Sequence, residues 1–393
     1  MFYNIYDRIV FTDSKRNNFR LNYYNSLMIN NDINTMTDTC IITIPYSNVV
    51  LNSAELTMKS VDGDDITISY GDKVKIQLNY YQTPEEKVEL DAKGDDNIVY
   101  FLGFIKDFTV NNDLIEINCE DYMFEFKQIK INFSIPDKVK AKLVVQNIAA
   151  LYGQVSLTNN VIDSDSEIDV KTVDSLLYKP DTLDYKTGAT VFQRYKEDYK
   201  YSIYFRTVDN NKPTLYFGLK YPLENDSITQ TPVKFSYGYD ETRYPIIQNN
   251  LGYEHFNKDA DLIIVGSYTD KKNKNKKTEI ATIDGINILT KKKEIKLQVK
   301  NRKVRENINF FDSAVKGLDD LVLQTFNNYQ SSGFKGSFST FGTPKLEHGQ
   351  IIDLKIDDGF GDSIIEQYYI DNVVTKIVPN TGFTQNVTIG SKL

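Results

Sequence analysis

Tryptophan is absent from this 393-residue chain, and only two cysteines and two histidines occur. Each shortage removes a class of function. Two cysteines cannot build a disulfide scaffold. Cys40 and Cys119 both sit in apolar, strand-like contexts (DTCIITI and IEINCED) and read as buried, reduced thiols, in keeping with synthesis in the cytoplasm. His255 (GYEHFNK) has a strand context and His348 (LEHGQ) a turn context, so no Ser/His/Asp or Cys/His arrangement is visible. Zinc spacing is missing too, since neither Cys-x-x-Cys nor His-x-x-x-His occurs. No apolar run approaches the roughly 18–20 residues that cross a bilayer, so no transmembrane span is expected. The N-terminal MFYNIYDRIVF alternates apolar and polar residues, which is a strand pattern and not an export signal. Basic excess is also lacking: the formal net charge is −8, which argues against a general nucleic-acid binder.

What is present is ordinary in bulk, with 40% hydrophobic and 25% charged residues, as in soluble globular proteins. The abundance of Asn, Lys, Ile and Tyr reads as the mark of an AT-rich genome. The length predicts two or three domains.

The informative feature is a repeat. Near the N-terminus the chain reads GDKVKIQLNYY, a loop, and VYFLGFIKDFTVNNDLIEINC; near the C-terminus it reads GQIIDLKIDDGF, a shorter loop, and QYYIDNVVTKIVPNTGFTQNVTIG. Both copies open on a glycine (Gly71, Gly349) and an alternating strand: Val74, Ile76 and Leu78 against Ile352, Leu354 and Ile356. Each continues with an aromatic pair, Tyr100-Phe101 and Tyr368-Tyr369. Each ends on an Asn-containing turn and a third strand, with Leu114, Ile115 and Ile117 in one and Phe383, Val387 and Ile389 in the other.

Residues 1–130 read as short strands, such as ITISY and KVKIQL, between polar turns at 61–65, 93–97 and 111–113, which predicts a first small barrel. Residues 131–245 change character. DKVKAKLVVQNIAALYG places Leu143, Val144, Ile148 and Leu151 at helical spacing with Gly153 as a stop. KTGATVFQRYKEDYK predicts a second helix with Val191, Phe192, Tyr195 and Tyr199 on one face, followed by a hairpin, KYSIYFRTV and PTLYFGL, turning at Asn210-Asn211. Residues 246–393 return to strands (DLIIVGSYT, EIATID, EIKLQV), interrupted by a helix at about 309–333 with Ala314, Leu318, Leu321 and Phe326 on its buried side. The predicted fold is therefore mainly β with an α+β insert: two related small antiparallel barrels, a central α+β domain and an inserted helix that makes the second barrel discontinuous.

Four segments resemble the tail hub, or baseplate hub, family of phages and contractile injection machines: NCEDYMFEFKQ, KVKAKLVVQNIAALYG, TGATVFQRYKEDYKYSIYFRTVDNNKPTLYFG and GSFSTFGTPKLEHGQIIDLKI. Their order and spacing match along nearly the whole chain. The basic loop at 270–278 and the lack of the extended C-terminal domain of large contractile hubs depart from that pattern. The resemblance implies a structural virion protein and not an enzyme. It would be a homotrimer joining the tail tube protein to a tail tip, spike or central fibre protein, with DNA leaving through its lumen and a tape-measure protein as a further partner. Three chains carrying two similar barrels each would offer six similar faces to a hexameric tube. A receptor- or glycan-binding tail-tip protein is the alternative, but no glycine-rich or β-helical period supports it.

Other constellations weigh less. The 54 acidic residues supply many carboxylate pairs, yet a tail-associated hydrolase would bring a separate Trp-bearing cleft, and this chain has no Trp. Asp163, Asp165, Glu167 and Asp169 alternate in one loop without the glycine and terminal carboxylate of a calcium loop, so a solvated turn is the simpler reading and weak calcium binding the alternative. No cofactor is expected. Lys271, Lys272, Lys274, Lys276 and Lys277 form a basic hairpin tip, read either as a solvated turn that discourages edge pairing or as a contact for an acidic partner. The 27 Tyr and 22 Phe fall mostly on strand-alternate and helix-face positions, which is core use.

Overall fold

Strict alternation of apolar and polar residues becomes strand almost everywhere it occurs. The computed structural model describes residues 4–131, 187–221, 231–254 and 333–393 with brief internal breaks, and 144–149, 161–162, 263–270, 275–282, 288–289, 304–311 and 322.

The first unit contains β1 (Asn4–Thr12), β2 (Asn18–Leu21), β3 (Ser26–Asp32), β4 (Thr39–Pro45), β8 (Lys73–Tyr81), β9 (Val99–Asn111) and β10 (Leu114–Glu120). They lie in the order β2-β1-β8-β9-β10-β4-β3, every pair antiparallel. Residues from all seven of these strands, among them Phe11, Leu21, Ile29, Ile42, Ile76, Phe101 and Ile117, share one buried core. A separate sheet of β5 (Val49–Asn52), β6 (Glu55–Lys59) and β7 (Asp65–Ser69) adds Leu56 and Ile68 to that core. Cys40 and Cys119 stand directly opposite each other on β4 and β10, both buried, and burial pushes both thiols up.

The stretch between β8 and β9, read as a loop with a turn at 93–97, holds helix α1 (Pro84–Lys93) and a 3-10 turn at Gly94–Asp96. Its start is written in the sequence: the Glu86 amide donates to Thr83 Oγ1 at 3.2 Å, and the Gln82 amide donates to Glu86 Oε2 at 2.6 Å. With Leu90 its sole buried residue, α1 lacks the apolar stripe that betrays most helices.

The central segment is the α+β unit anticipated. Helix α2 (Met123–Gln128) and helix α3 (Gly188–Tyr199) pack Phe126, Val191, Phe192 and Tyr195 against the hairpin of β12 (Ser202–Val208) and β13 (Lys212–Gly218). The two-residue strand β11 (Val161–Ile162) adds parallel to β13. Val144, Val145 and Ile148 are helical and enter the same core; Leu143, Leu151 and Gly153 fall outside the described residues.

The last unit is a closed barrel. Strands β14 (Val233–Tyr237), β15 (Tyr244–Glu254), β20 (Gly333–Phe341), β21 (Ile351–Asp357), β22 (Ser363–Val378) and β23 (Gly382–Lys392) run in the order β22-β21-β14-β15-β20-β23, and β22–β23 pairing completes the ring. Phe235, Phe338, Leu354, Ile370 and Val387 fill it. The expectation of a wholly antiparallel barrel needs correcting, because β14 runs parallel to both neighbours. Among the described residues the first unit keeps the same strand order without hydrogen-bonded closure. Between β15 and β20 lie β16 (Ile263–Asp270), β17 (Asn275–Thr282), β18 (Ile288–Leu289) and β19 (Val304–Phe311), ordered β18-β17-β16-β19. Residues 309–311 of the expected helix belong to β19; Val322 is helical and buried, and the rest of that helix lies outside the described residues, as does EIKLQV.

The repeat is real down to single hydrogen bonds. Gly71 and Gly349 both adopt positive φ, +84° and +75°. Their amides donate to Ile105 O and Ile370 O, each at 2.8 Å, and the Ile105 and Ile370 amides return bonds to Asp72 O and Gln350 O, each at 2.9 Å. The Ser69 amide meets Asp72 Oδ2 at 2.7 Å, where the Glu347 amide meets Gln350 Oε1 at 2.9 Å. In each copy the long middle strand gives its first half to one neighbour and its second half to the other, bulging between: Lys106 is the extra residue of β9 and Asp371 that of β22. These anchors correct one alignment. Val74 faces Gly103 as Ile352 faces Tyr368, so the counterpart of Tyr368-Tyr369 is Gly103-Phe104, three residues beyond Tyr100-Phe101.

Two glycine substitutions separate two causes. A Cβ at Gly71 meets nothing within 4 Å, so Gly71→Ala costs only its left-handed backbone, about 1 kcal/mol. A Cβ at Gly103 would lie 2.1 Å from Glu120 O, and Gly103→Ala is expected to cost about 3 kcal/mol as strands β9 and β10 are pushed apart. Urea unfolding of the two variants checks the order.

Candidate functional site

Two kinds of place could carry function: the seam where the units join, and the basic hairpin. At the seam β3 pairs antiparallel with the second half of β22, from Asn372 opposite Asp32 to Ile377 opposite Leu27. Leu27, Ile29, Val373, Thr375 and Ile377 are all buried there, and Asn372 Nδ2 donates to Asn30 Oδ1 at 2.7 Å. The sheet of the first unit thus runs into the wall of the barrel, and burying each apolar side chain contributes about 1.5–3 kcal/mol.

Beside the seam all three units meet. Ile33, Tyr204, Tyr216, Tyr221, Ile351 and Tyr369 form one cluster, with Tyr204 stacked on Tyr216 at 4.7 Å and Tyr221 on Tyr369 at 4.5 Å. The bulged Asp371 ties the central segment to the barrel by accepting from Tyr221 OH at 2.6 Å and Lys220 Nζ at 2.9 Å. Gly390 is required opposite it, since a Cβ would lie 2.3 Å from Asp371 Oδ1.

Next to this cluster lies a buried ionic knot. His348, which the sequence places in a turn context, is wholly buried; its Nε2 sits 3.2 Å from Asp38 Oδ2, and its ring meets that of Tyr204 edge-on with centroids 4.5 Å apart. His348 Nδ1 has no hydrogen-bond partner. The Asp38 amide donates to Asp121 Oδ2 at 3.0 Å, and the Met123 amide donates to Asp121 Oδ1 at 2.9 Å. Burial raises the pKa of Asp38, partly offset by His348, and raises Asp121 still further, helped by the nearby Asp38 charge. Glu347 goes the other way. Burial alone would raise it, but Lys345 and Arg206 outweigh that and hold it at about 2. Arg206 Nε lies 3.3 Å from Glu347 Oε2, both side chains nearly inaccessible. The adjoining cavity, lined by Asp38, Tyr100, Asp121, Arg206 and Glu347 among others, has a volume of ≈ 20 Å³, room for about one water and not for a substrate. The arrangement clamps the units together.

The basic hairpin is present. β16 and β17 pair antiparallel with Asp270 opposite Asn275, Thr269 opposite Lys276 and Tyr268 opposite Lys277. Lys276 and Lys277 are therefore strand residues. Lys271, Lys272 and Lys274 fall outside the described residues, as do His255 and the acidic loop at 163–169. Among the described residues no group of three His, Cys, Asp or Glu is placed to hold a metal ion, and no helix is long and apolar enough to cross a membrane. Sequence reasoning missed the Asp38–His348 and Arg206–Glu347 pairs, whose partners stand far apart in the chain and share no local pattern.

No protein-family model matches the sequence, and no curated protein does. Several solved structures match over nearly their whole length. The tail protein from Neisseria meningitidis MC58 superposes with a TM-score of 0.57 at 9% identity, covering 98% of this chain and 96% of that one. The 43 kDa tail protein of prophage MuSo2 from Shewanella oneidensis gives 0.52 at 9% identity, covering 98% of each chain. Prophage tail protein gp18 from Listeria monocytogenes EGD-e gives 0.51 at 11% identity, covering 98% of this chain and 94% of that one. The chain has the fold of these phage tail proteins, and the family resemblance carried by the four sequence segments is met at that level.

Glu347→Gln tests the clamp with a definite pH sign. The folded pKa of Glu347 lies below its ordinary 4.5, so its stabilising contribution is complete above about pH 4.5 and is lost as pH falls towards 2. The variant should be less stable by on the order of 3 kcal/mol at pH 7. That gap should narrow between pH 4.5 and 2 in urea unfolding of both proteins.

Proposed function

We propose that this chain is a structural protein of a phage-type tail, a homotrimeric hub that joins the tail tube to the tip, spike or central fibre. The observation that carries the reading is the paired construction: two three-stranded meanders with the same glycine turn, the same reciprocal bonds at Ile105 and Ile370, and a bulge at the same place. Each is set in the same six-strand order. A closed ring of three such chains would present six comparable faces, which is what a threefold object needs to meet a sixfold one without orphaned contacts. In this reading residues 1–130 and 246–393 are the two related domains and 131–245 the domain between them, except that β14 and the first residues of β15 belong to the barrel.

DNA would pass through the lumen without sequence-specific binding, and the net charge of −8 keeps the wall from gripping it, since like charges repel even when partly screened. The protein would reside in the virion tail after synthesis in the host cytoplasm, and it has no catalytic part in this scheme.

Native mass spectrometry of the purified chain should give a trimer; a stable dimer or hexamer would count against the hub. In the same reading the hairpin at 270–278 touches an acidic partner, the tube ring or a tape-measure protein. Alanine at Lys271, Lys272, Lys274, Lys276 and Lys277 together should weaken hub–tube assembly while the trimer mass stays unchanged, and undiminished assembly would remove that contact.

A further inference from the structure

The two units share strand order and direction in all but one strand, β14 running opposite to its counterpart β1, so the seam inside one chain has a counterpart that the single chain leaves unmade. Through the shared anchors, β22 corresponds to β9, β23 to β10, β20 to β4 and β15 to β3. Cys40 lies opposite Cys119 as the equivalent step of the other unit sets Phe338 against Val387 two residues on, which brings Ser26–Asp32 into correspondence with Gln248–Glu254. Past its bulge, β22 uses Asn372–Ile377 to hold β3. The matching residues of β9, Asp107 to Asn111, pair with β10 on one side only; on the other side β8 stops at Phe104. Likewise Gln248 to Glu254 of β15 pair with β20, while β14 reaches only Tyr244 and Pro245. Among the described strands, none besides β10 continues along the first stretch and none besides β20 along the second. The Leu251 amide turns instead to the side chain of Asn249, Oδ1 at 3.0 Å.

We infer that these two edges bind each other between copies of this chain: Asp107–Asn111 of one protomer takes Glu254–Asn250 of the next as an antiparallel strand, repeating the register of the β3–β22 seam. This rests on the ring reading above and names its subunit contact. Transferring the observed register places Val110 opposite Leu251, Phe108 opposite Tyr253, and Asn111 opposite Asn250. The chemistry suits the transfer. Val110 is 51% exposed in the isolated chain, whereas its counterpart Thr375, covered by β3, is 3% exposed. Val110 and Leu251 would lie on the core side of the joined sheet, as Thr375 and Ile29 do, and Asn111 and Asn250 on the outer side. Aromatic and aliphatic cross-strand pairs of this kind stabilise sheets, and edge addition supplies main-chain hydrogen bonds. One pair is unfavourable, Asp107 opposite Glu254, at the end of the ladder where water screens it. Because each chain offers one edge of each kind, the contact is heterologous and closes only as a ring.

The pair Asn111→Cys with Asn250→Cys tests the register. Both positions are exposed, and neighbouring strands hold facing residues within disulfide reach. Diamide, a two-electron thiol oxidant, would convert two thiols to one disulfide and be reduced to its hydrazine. Non-reducing gels should show covalent dimers and trimers for this pair, and at least tenfold less for Asn111→Cys with Gly252→Cys or for either single variant. Native mass spectrometry of the unmodified chain runs beside it. A trimer that gives no in-register disulfide, or gives it equally out of register, overturns this seam and leaves the hub reading standing. In-register disulfides in a ladder running well past three chains uphold the edge pairing and overturn the closed ring. A chain that stays monomeric at millimolar concentration and yields no disulfide overturns the seam.

Discussion

A strand that is longer than its neighbours and bent in the middle has to find a partner for each half of each edge. That requirement governs this molecule. In β22 the bulge at Asp371 swings the second half away from β21, and β3 fills the vacated edge, so that the first unit and the barrel become one continuous sheet. The bend itself depends on a glycine turn: only a residue tolerant of positive φ can present its amide to Ile370 O while the chain reverses into β21. The same device at Gly71 and Lys106 bends β9. Duplication has therefore copied a hinge in the sheet as well as a set of strands.

The clamp beside that seam shows how polar chemistry and packing divide the work. Tyrosine stacks and aliphatic contacts hold the three units together without regard to pH. The charged groups behave differently. Glu347 is kept ionised by Arg206 and Lys345, and loses its worth in acid. Asp38 and Asp121 have raised pKa values, so their carboxylates oppose folding more as pH rises through those values. Burying charges of both tendencies in one place makes the junction specific in geometry, since a partner left unpaired there costs several kcal/mol.

Much of this was legible in the residues. Gly71 and Gly349, each followed by an alternating strand, marked the repeat because turn and periodicity are local properties. The α3 face at Val191, Phe192 and Tyr195 and the hairpin after it were legible for the same reason. The aromatic pairs misled: Tyr100-Phe101 and Tyr368-Tyr369 look alike, yet backbone hydrogen bonds and not side-chain likeness set the register, three residues away. Helix α1 was hidden by its short apolar face, although Thr83, Pro84 and Glu86 announced its start. Nothing local could reveal that β14 runs parallel to its neighbours, or that His348 would find Asp38 across 310 residues.

The long insertion between β15 and β20 has a consequence for synthesis. The barrel hairpin cannot form until residues 255–332 have emerged, and β3, made early, waits for β22 near the end of the chain. On the ribosome the first unit therefore folds with a bare strand edge for most of translation, while loop closure over such spans is slow. A net charge of −8 sets like charges between neighbouring nascent copies and so opposes pairing of such edges.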